Sequence, residues 1–467
     1  MPVPLTTAGA RPLPAVIAFD VMAASGAGPA QIAERQSQRL AALLQAARAT
    51  RFYRELLRGL DPQRLPLTAL PVTGKQELMQ QFADRVADPD ITLPGLQAFC
   101  ADPARIGQRF LGRYWVWESS GSTGQPGVFV QDETAMAVYD ALEGLRRHSP
   151  RPWVRWLDPL FLGEHIAFVS ATGGHFASHV SVQRLCAASP WLAPLRRSFS
   201  ILQPAAVLVA QLNDYQPSIV ATYPTAAALL ADQARRGALR IRPQEVWTGG
   251  ETLSPTLRAH IEQGLGCALR NSYGASEFLP IAWECGRGSL HANADWVILE
   301  AVDARHRPVP AGQASQTTLL TNLANAVQPL IRFDIGDCIR IDPLPCACGS
   351  ALPVLQVQGR RDDVLTVPGR DGEPVALLPM ALSTVLEDGA GVFDFQLRQQ
   401  GTRAWCLLLG PDALPTPELM ARCRQVLTDF AAAQGAAGLH IDIRRTDALP
   451  LGASGKLKRI VAMPAAR

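Results

Sequence analysis

Four hydroxyl side chains and three glycines fall within ten residues at Glu118-Ser119-Ser120-Gly121-Ser122-Thr123-Gly124-Gln125-Pro126-Gly127. Between a strand and a helix, such a run exposes backbone N–H groups in a concave arc, and Ser and Thr add donors suited to phosphate oxygens. Residues 113–117 before it are aromatic and β-branched and predict a strand, and residues 132–147 after it predict a helix. No Lys-Ser/Thr pair closes the loop, so it is not a P-loop of the G-x-x-x-x-G-K-[ST] kind. Alone, a Ser/Gly loop is more often a surface turn. A second set of chemistry-bearing residues is Cys285, His291, Cys346 and Cys348. Three thiolates and an imidazole suit tetrahedral Zn²⁺ with no position left open, hence a structural ion. The alternative is a group of free cysteines beside an ordinary histidine, because a long stretch separates the two halves.

The elements that must position these residues follow from hydrophobic patterning. Residues 1–29 are rich in Pro, Ala and Gly and predict irregular chain, and 29–57 predict a helix. Leu70-Pro71-Val72-Thr73-Gly74-Lys75 predicts a turn with Thr73 as the cap of the next helix. From 110 to 341, short β-rich runs alternate with helical ones, the mark of an α/β domain with mostly parallel sheets flanked by helices. After Gly359-Arg360-Arg361-Asp362-Asp363 the pattern becomes that of a small α+β unit. The expected division is therefore 1–361 and 362–467, with Asp362 as the hinge. A net charge of +3 without a basic block excludes nucleic acid as an expected partner. No apolar run is long enough for a membrane span, and no signal peptide is evident. Nine irregularly spaced cysteines predict a reducing compartment, the cytoplasm by default.

Further motifs stand in series with the glycine-rich loop: Thr248-Gly249-Gly250-Glu251, Tyr273-Gly274-Ala275-Ser276-Glu277, Arg332-Phe333-Asp334-Ile335-Gly336-Asp337, the 359–363 stretch and Gly455-Lys456. Each alone has a bland reading as a turn, a cap or a solvated lysine. In this order and spacing they resemble the adenylate-forming superfamily of acyl-CoA synthetases, adenylation domains and luciferases. The segments Ala47-Arg48-Ala49-Thr50-Arg51-Phe52-Tyr53-Arg54 and 70–75 are similar to those of the phenylacetate–CoA ligase family, and the resemblance spans roughly 38–467.

That resemblance implies a two-step reaction: a carboxylate attacks the α-phosphate of ATP, and a thiol, usually that of coenzyme A, takes the acyl group. It implies Ser119, Ser120, Gly121, Ser122, Thr123 and Gly124 at the β- and γ-phosphates, Glu277 on Mg²⁺ and Ser276 at the α-phosphate. Gly249, Gly250 and Glu251 would line adenine, with Tyr273 and Gly274 beside it. Asp337 and Arg360 would meet the ribose, and Lys456 the α-phosphate and the carboxylate. The resemblance also implies an acyl pocket around Gly174, His175, Phe176 and Ala275, and it supports Zn²⁺ at the Cys/His set. The implied partners are a small carboxylic acid, which the family suggests is aromatic, and coenzyme A. An acyl carrier protein or an amine as acceptor, and a weakened nucleotide-binding protein, are the rival readings. Relatives are often homodimers, although the sequence carries no interface signal. Two departures stand out. Gln125 replaces the family's loop lysine, which predicts weaker ATP use, and Val367-Pro368-Gly369-Arg370-Asp371-Gly372 replaces the family's turn after the hinge, which leaves the acceptor open.

Overall fold

The computed structural model describes residues 12–119, 127–149, 153, 157–158, 161–370, 372, 374–411, 416–436, 438–452 and 456–463. The assignments made above to Ser120, Gly121, Ser122, Thr123, Gly124 and Gln125 fall outside the described residues, as does Gly455.

The alternation of β-branched runs with amphipathic helices builds a nine-stranded sheet. Strands Ala268–Ala275, Glu245–Thr248, Ile219–Thr222, Ile166–Ser170 and Arg196–Ser200 lie side by side in parallel. Helices Ala177–Ala188, Ala205–Tyr215, Pro224–Arg235 and Pro255–Leu265 make the crossovers. Their apolar faces meet the strands in a core that includes Val169, Leu212, Val220, Leu230, Val246 and Leu257. The sheet continues antiparallel through Phe278–Glu284, Leu290–Ala292, Val354–Arg360 and Asp337–Ile341. A second core around Trp117, Phe129, Tyr139, Phe278, Trp296 and Phe333 joins this half to the N-terminal helices and to the hairpin of Trp115–Glu118 with Val128–Gln131. That hairpin holds both ends of the glycine-rich loop.

From Leu365 onward the chain has its own core, with Leu382, Phe395, Leu407, Leu427 and Ile443 buried in it. It contains a four-stranded sheet (His440–Arg445, Ala404–Leu409, Phe395–Gln399 and Ile460–Val461) packed on helices Pro379–Ala390 and Pro417–Ala433.

Three local expectations fail for identifiable reasons. Pro14–Ser25 is helical, because proline is tolerated in a first helical turn and Ile17, Val21 and Ala24 bury one face. The predicted single helix from 29 breaks into Pro29–Ala47 and Arg51–Leu56, since the Thr50 hydroxyl accepts from Tyr53 N at 3.2 Å and caps a new start. Thr73 is not a cap. Gly74 holds that position, with the Glu77 carboxylate reaching back to its N–H at 3.3 Å, while Thr73 is buried in a bridge to Phe333.

Candidate active site

Ligands of open α/β sheets bind beyond the C-terminal ends of the parallel strands. Here Thr248, which ends one strand, leads into Gly249-Gly250-Glu251, and the neighbouring strand carries Tyr273 to Ala275 at its end. They open onto a cleft of about 1190 Å³ lined also by Lys75, Ser119, Asp337, Arg360 and Lys456. The motifs that stand far apart in the chain are thereby brought to one place.

Backbone geometry explains the glycines. A Cβ on Gly274 would stand 1.8 Å from the Leu279 carbonyl oxygen, so no other residue fits without moving the strand. Gly250 has φ +78°, and a Cβ there would meet Lys456 Nζ at 2.9 Å. The Lys456 ammonium therefore lies against the Gly250 backbone, 5.4 Å from the centre of the Tyr223 ring. Glu251 lines the cleft and also meets the C-terminal segment. One of its oxygens accepts from Thr225 N at 3.1 Å and Thr225 Oγ1 at 2.8 Å, and the other accepts from Leu457 N at 3.1 Å. Burial raises the Glu251 carboxyl and lowers the Lys456 ammonium, each partly offset by the other's charge.

Asp337 is buried at the opposite wall. Its Oδ2 accepts from the Tyr273 hydroxyl at 2.6 Å, and its Oδ1 is 3.8 Å from Arg360 Nη1. Burial pushes both the Asp337 carboxyl and the Tyr273 hydroxyl upward. Burial also pushes the Glu277 carboxyl up to about 7, against the pull of Arg360 and Lys75. Glu277 also lines the cleft. Ser276 is held by its carbonyl, which accepts from Trp117 Nε1 at 2.8 Å. Ser119 closes the base of the glycine-rich loop: its hydroxyl accepts from Gly127 N, and its N–H donates to Gly127 O, both at 2.8 Å.

Three of the four residues expected around the acid, Gly174, His175 and Phe176, are not among those lining this cleft. His175 is buried with its ring 5.5 Å from that of Phe99, and its carbonyl accepts from Glu118 N at 2.8 Å. Phe176 bridges to Glu118, and Gly174 packs on the Phe176 ring. These three brace the strand that enters the glycine-rich loop, whereas Ala275 does line the cleft. Sequence reasoning missed Lys75, which lines the cleft, and Asp334, which accepts from Gly336 N at 2.9 Å and Arg361 Nη1 at 2.6 Å and so shapes the turn before Asp337. An acidic residue two positions before Gly336 was the available signal for Asp334.

Away from the cleft, Cys285, His291, Cys346 and Cys348 offer donor atoms that all lie within 4.8 Å of one another. Cys285 Sγ and Cys346 Sγ are 3.9 Å apart, against about 3.8 Å for two sulfurs at tetrahedral angles on one zinc. His291 Nδ1 is 2.8 Å from the Leu352 carbonyl, which fixes the ring and leaves Nε2 toward Cys348 Sγ at 3.3 Å. The donor set and its bracing fit a tetrahedral metal ion.

No protein-family model matches the chain. It is 23% identical over 370 residues, 75% of this chain and 74% of the relative, to a phenylacetate–coenzyme A ligase of Thermus thermophilus. It is 29% identical over 174 residues to a phenylacetate–coenzyme A ligase of Pseudomonas putida, covering 34% of this chain and 38% of that one. Among solved structures, 2-hydroxyisobutyryl-CoA ligase in its post-adenylation state superposes with a TM-score of 0.67 at 18% identity, covering 94% of this chain and 91% of that one. The same ligase in its thioesterification state gives 0.56 at 19% identity, covering 94% and 91%. The chain is thus similar in sequence to phenylacetate–coenzyme A ligases and shares its fold with 2-hydroxyisobutyryl-CoA ligase.

Proposed function

We propose that this protein activates a carboxylic acid with ATP and passes the acyl group to the thiol of coenzyme A. The observation that carries the reading is the convergence of Lys456, Asp337 and Glu277 on one cleft at the C-terminal edge of the parallel strands. In the first step a carboxylate oxygen bonds to the α-phosphorus, and the bond to the bridging oxygen breaks with pyrophosphate leaving. Lys456 offsets the charge as two anions approach, and Asp337 accepts hydrogen bonds from the ribose. In the second step the thiolate sulfur attacks the acyl carbon and AMP departs with the C–O electron pair, the thiol proton going to solvent. The sequence likeness to phenylacetate–coenzyme A ligases supports an aromatic acid.

Mg²⁺ would be held by Glu277 and would neutralise phosphate charge. Zn²⁺ would be held by Cys285, His291, Cys346 and Cys348 as a structural ion. The C-terminal unit, from Asp362 on, rotates between the steps, so that the segment bearing Lys456 serves adenylation and another face serves thioester formation.

The test is ATP–pyrophosphate exchange without coenzyme A, across benzoic, hydroxybenzoic, aminobenzoic, phenylacetic, cinnamic and aliphatic acids. Exchange with an aromatic acid is expected, and thioester formation with coenzyme A follows. Silence with every acid, by a protein that still binds ATP, would refute the reading.

A further inference from the structure

The glycine-rich loop carries Gln125 rather than a lysine, yet a cation reaches the cleft beside Gly127, at the base of that loop, from another part of the chain. Thr73 pairs in parallel with Phe333: its N–H donates to Arg332 O at 3.2 Å, and its carbonyl accepts from Asp334 N at 2.8 Å. This bridge sets Lys75, two residues on, at the first position of helix Lys75–Gln80. Lys75 Cδ lies 3.2 Å from where a Cβ on Gly127 would stand, so its stem packs under the edge of the glycine-rich loop. Its side chain lines the cleft with Ser119, Glu277 and Arg360.

The position is costly for a cation. It is the positive end of a helix, it is half-buried, and the Arg360 guanidinium is a neighbour. Burial accordingly lowers the Lys75 ammonium, with only Glu277 and Asp362 pulling the other way. No ion pair reaches it among the described residues. A cation kept under these conditions, next to a loop edge and a phosphate-end carboxylate, is matched by an anion that arrives with the ligand.

We propose that Lys75 is the phosphate-end cation of this protein, meeting the terminal phosphates of ATP and the departing pyrophosphate in place of a loop lysine. This rests on the adenylation reading of the cleft. The weaker ATP use expected from Gln125 is then offset from outside the loop.

The experiment compares ATP and AMP binding by calorimetry, and the KM for pyrophosphate in exchange, for the parent, Lys75→Met, Lys75→Arg and Lys75→Met with Gln125→Lys. Loss of one charge-assisted contact is expected to weaken ATP binding about 10- to 100-fold in Lys75→Met. AMP binding should stay within about 2-fold, since AMP lacks the phosphates concerned. The KM for pyrophosphate should rise in parallel, Lys75→Arg should keep most of the affinity, and Gln125→Lys should restore it in the double variant. Equal losses for ATP and AMP would show a merely structural role, and no loss of either would show that Lys75 does not reach the phosphates. Either result overturns the proposal. The binding arm needs no turnover, so a parent that binds ATP yet exchanges with no acid would refute the adenylation reading separately.

Discussion

Glu277 joins a proposed role in the reaction to a cost in stability. Its folded carboxyl sits at about 7, above the usual 4.5, because burial disfavours the charged form. Between these values the folded state holds the proton more tightly than the unfolded one, so this group's contribution falls as pH rises toward 7 and stays at its lowest above it. Glu277→Gln is therefore expected to be more stable than the parent at pH 8 by about 1–2 kcal/mol, with no gain at pH 4, while exchange activity is lost. Urea denaturation at both pH values checks this, and equal stabilities at pH 8 would contradict it. At limiting Mg²⁺, exchange should rise through about pH 7, and added Mg²⁺ should move that limb to lower pH. Pairs of profiles at two Mg²⁺ concentrations decide the matter. At this scale the sequence was informative where a residue's role depends on its own backbone: Gly274, pressed against Leu279 O, could be picked out from its motif. Lys75 could not, since Phe333, which positions it, is remote in sequence.

At the scale of elements, the Cys/His cluster joins the turn after Phe278–Glu284 to the loop before Val354–Arg360. Val354 pairs with His291 across the sheet, and this register brings together donors that the chain separates widely. Sequence alone showed the donor types but not the pairing. A tetrahedral ion there would cross-link two loops of the same sheet. Cys348→Ser, or verified removal of metal by a chelator, is expected to lower Tm by about 5 °C or more while leaving the order of acid preference unchanged. Metal analysis should find about one zinc per chain, and an unaltered Tm after metal removal would dismiss the structural role. The parallel half of the sheet was legible because its strands alternate regularly with helices. Pro14–Ser25 was not, because its burial against Glu133–Arg146 is decided by tertiary packing.

Over the whole molecule, the C-terminal unit meets the rest through a small set of contacts. Ser254, whose oxygen accepts from Leu257 N, also donates to Glu387, and Thr256 donates to Asp388. Leu457 N donates to Glu251, and the His260 ring stacks on Phe393 at 4.1 Å. These hold the unit in the arrangement that places Lys456 in the cleft. Asp362→Pro, which stiffens the chain in this arrangement, is expected to keep exchange within about 3-fold and to cut thioester formation roughly 100-fold. Equal losses in both half-reactions would refute the hinge.

The polar make-up of that junction bears on what drives the rotation. Hydroxyls and carboxylates released from one another would be taken up by water, and the contacts of Phe393 with His260 and with the parallel-sheet core would be lost. Opening should therefore carry only a small heat-capacity change. The balance between the two arrangements would then drift little with temperature and would respond chiefly to which ligand occupies the cleft. Such a protein keeps its catalytic timing over a wide thermal range, even as the cores on either side of the junction lose stability on heating.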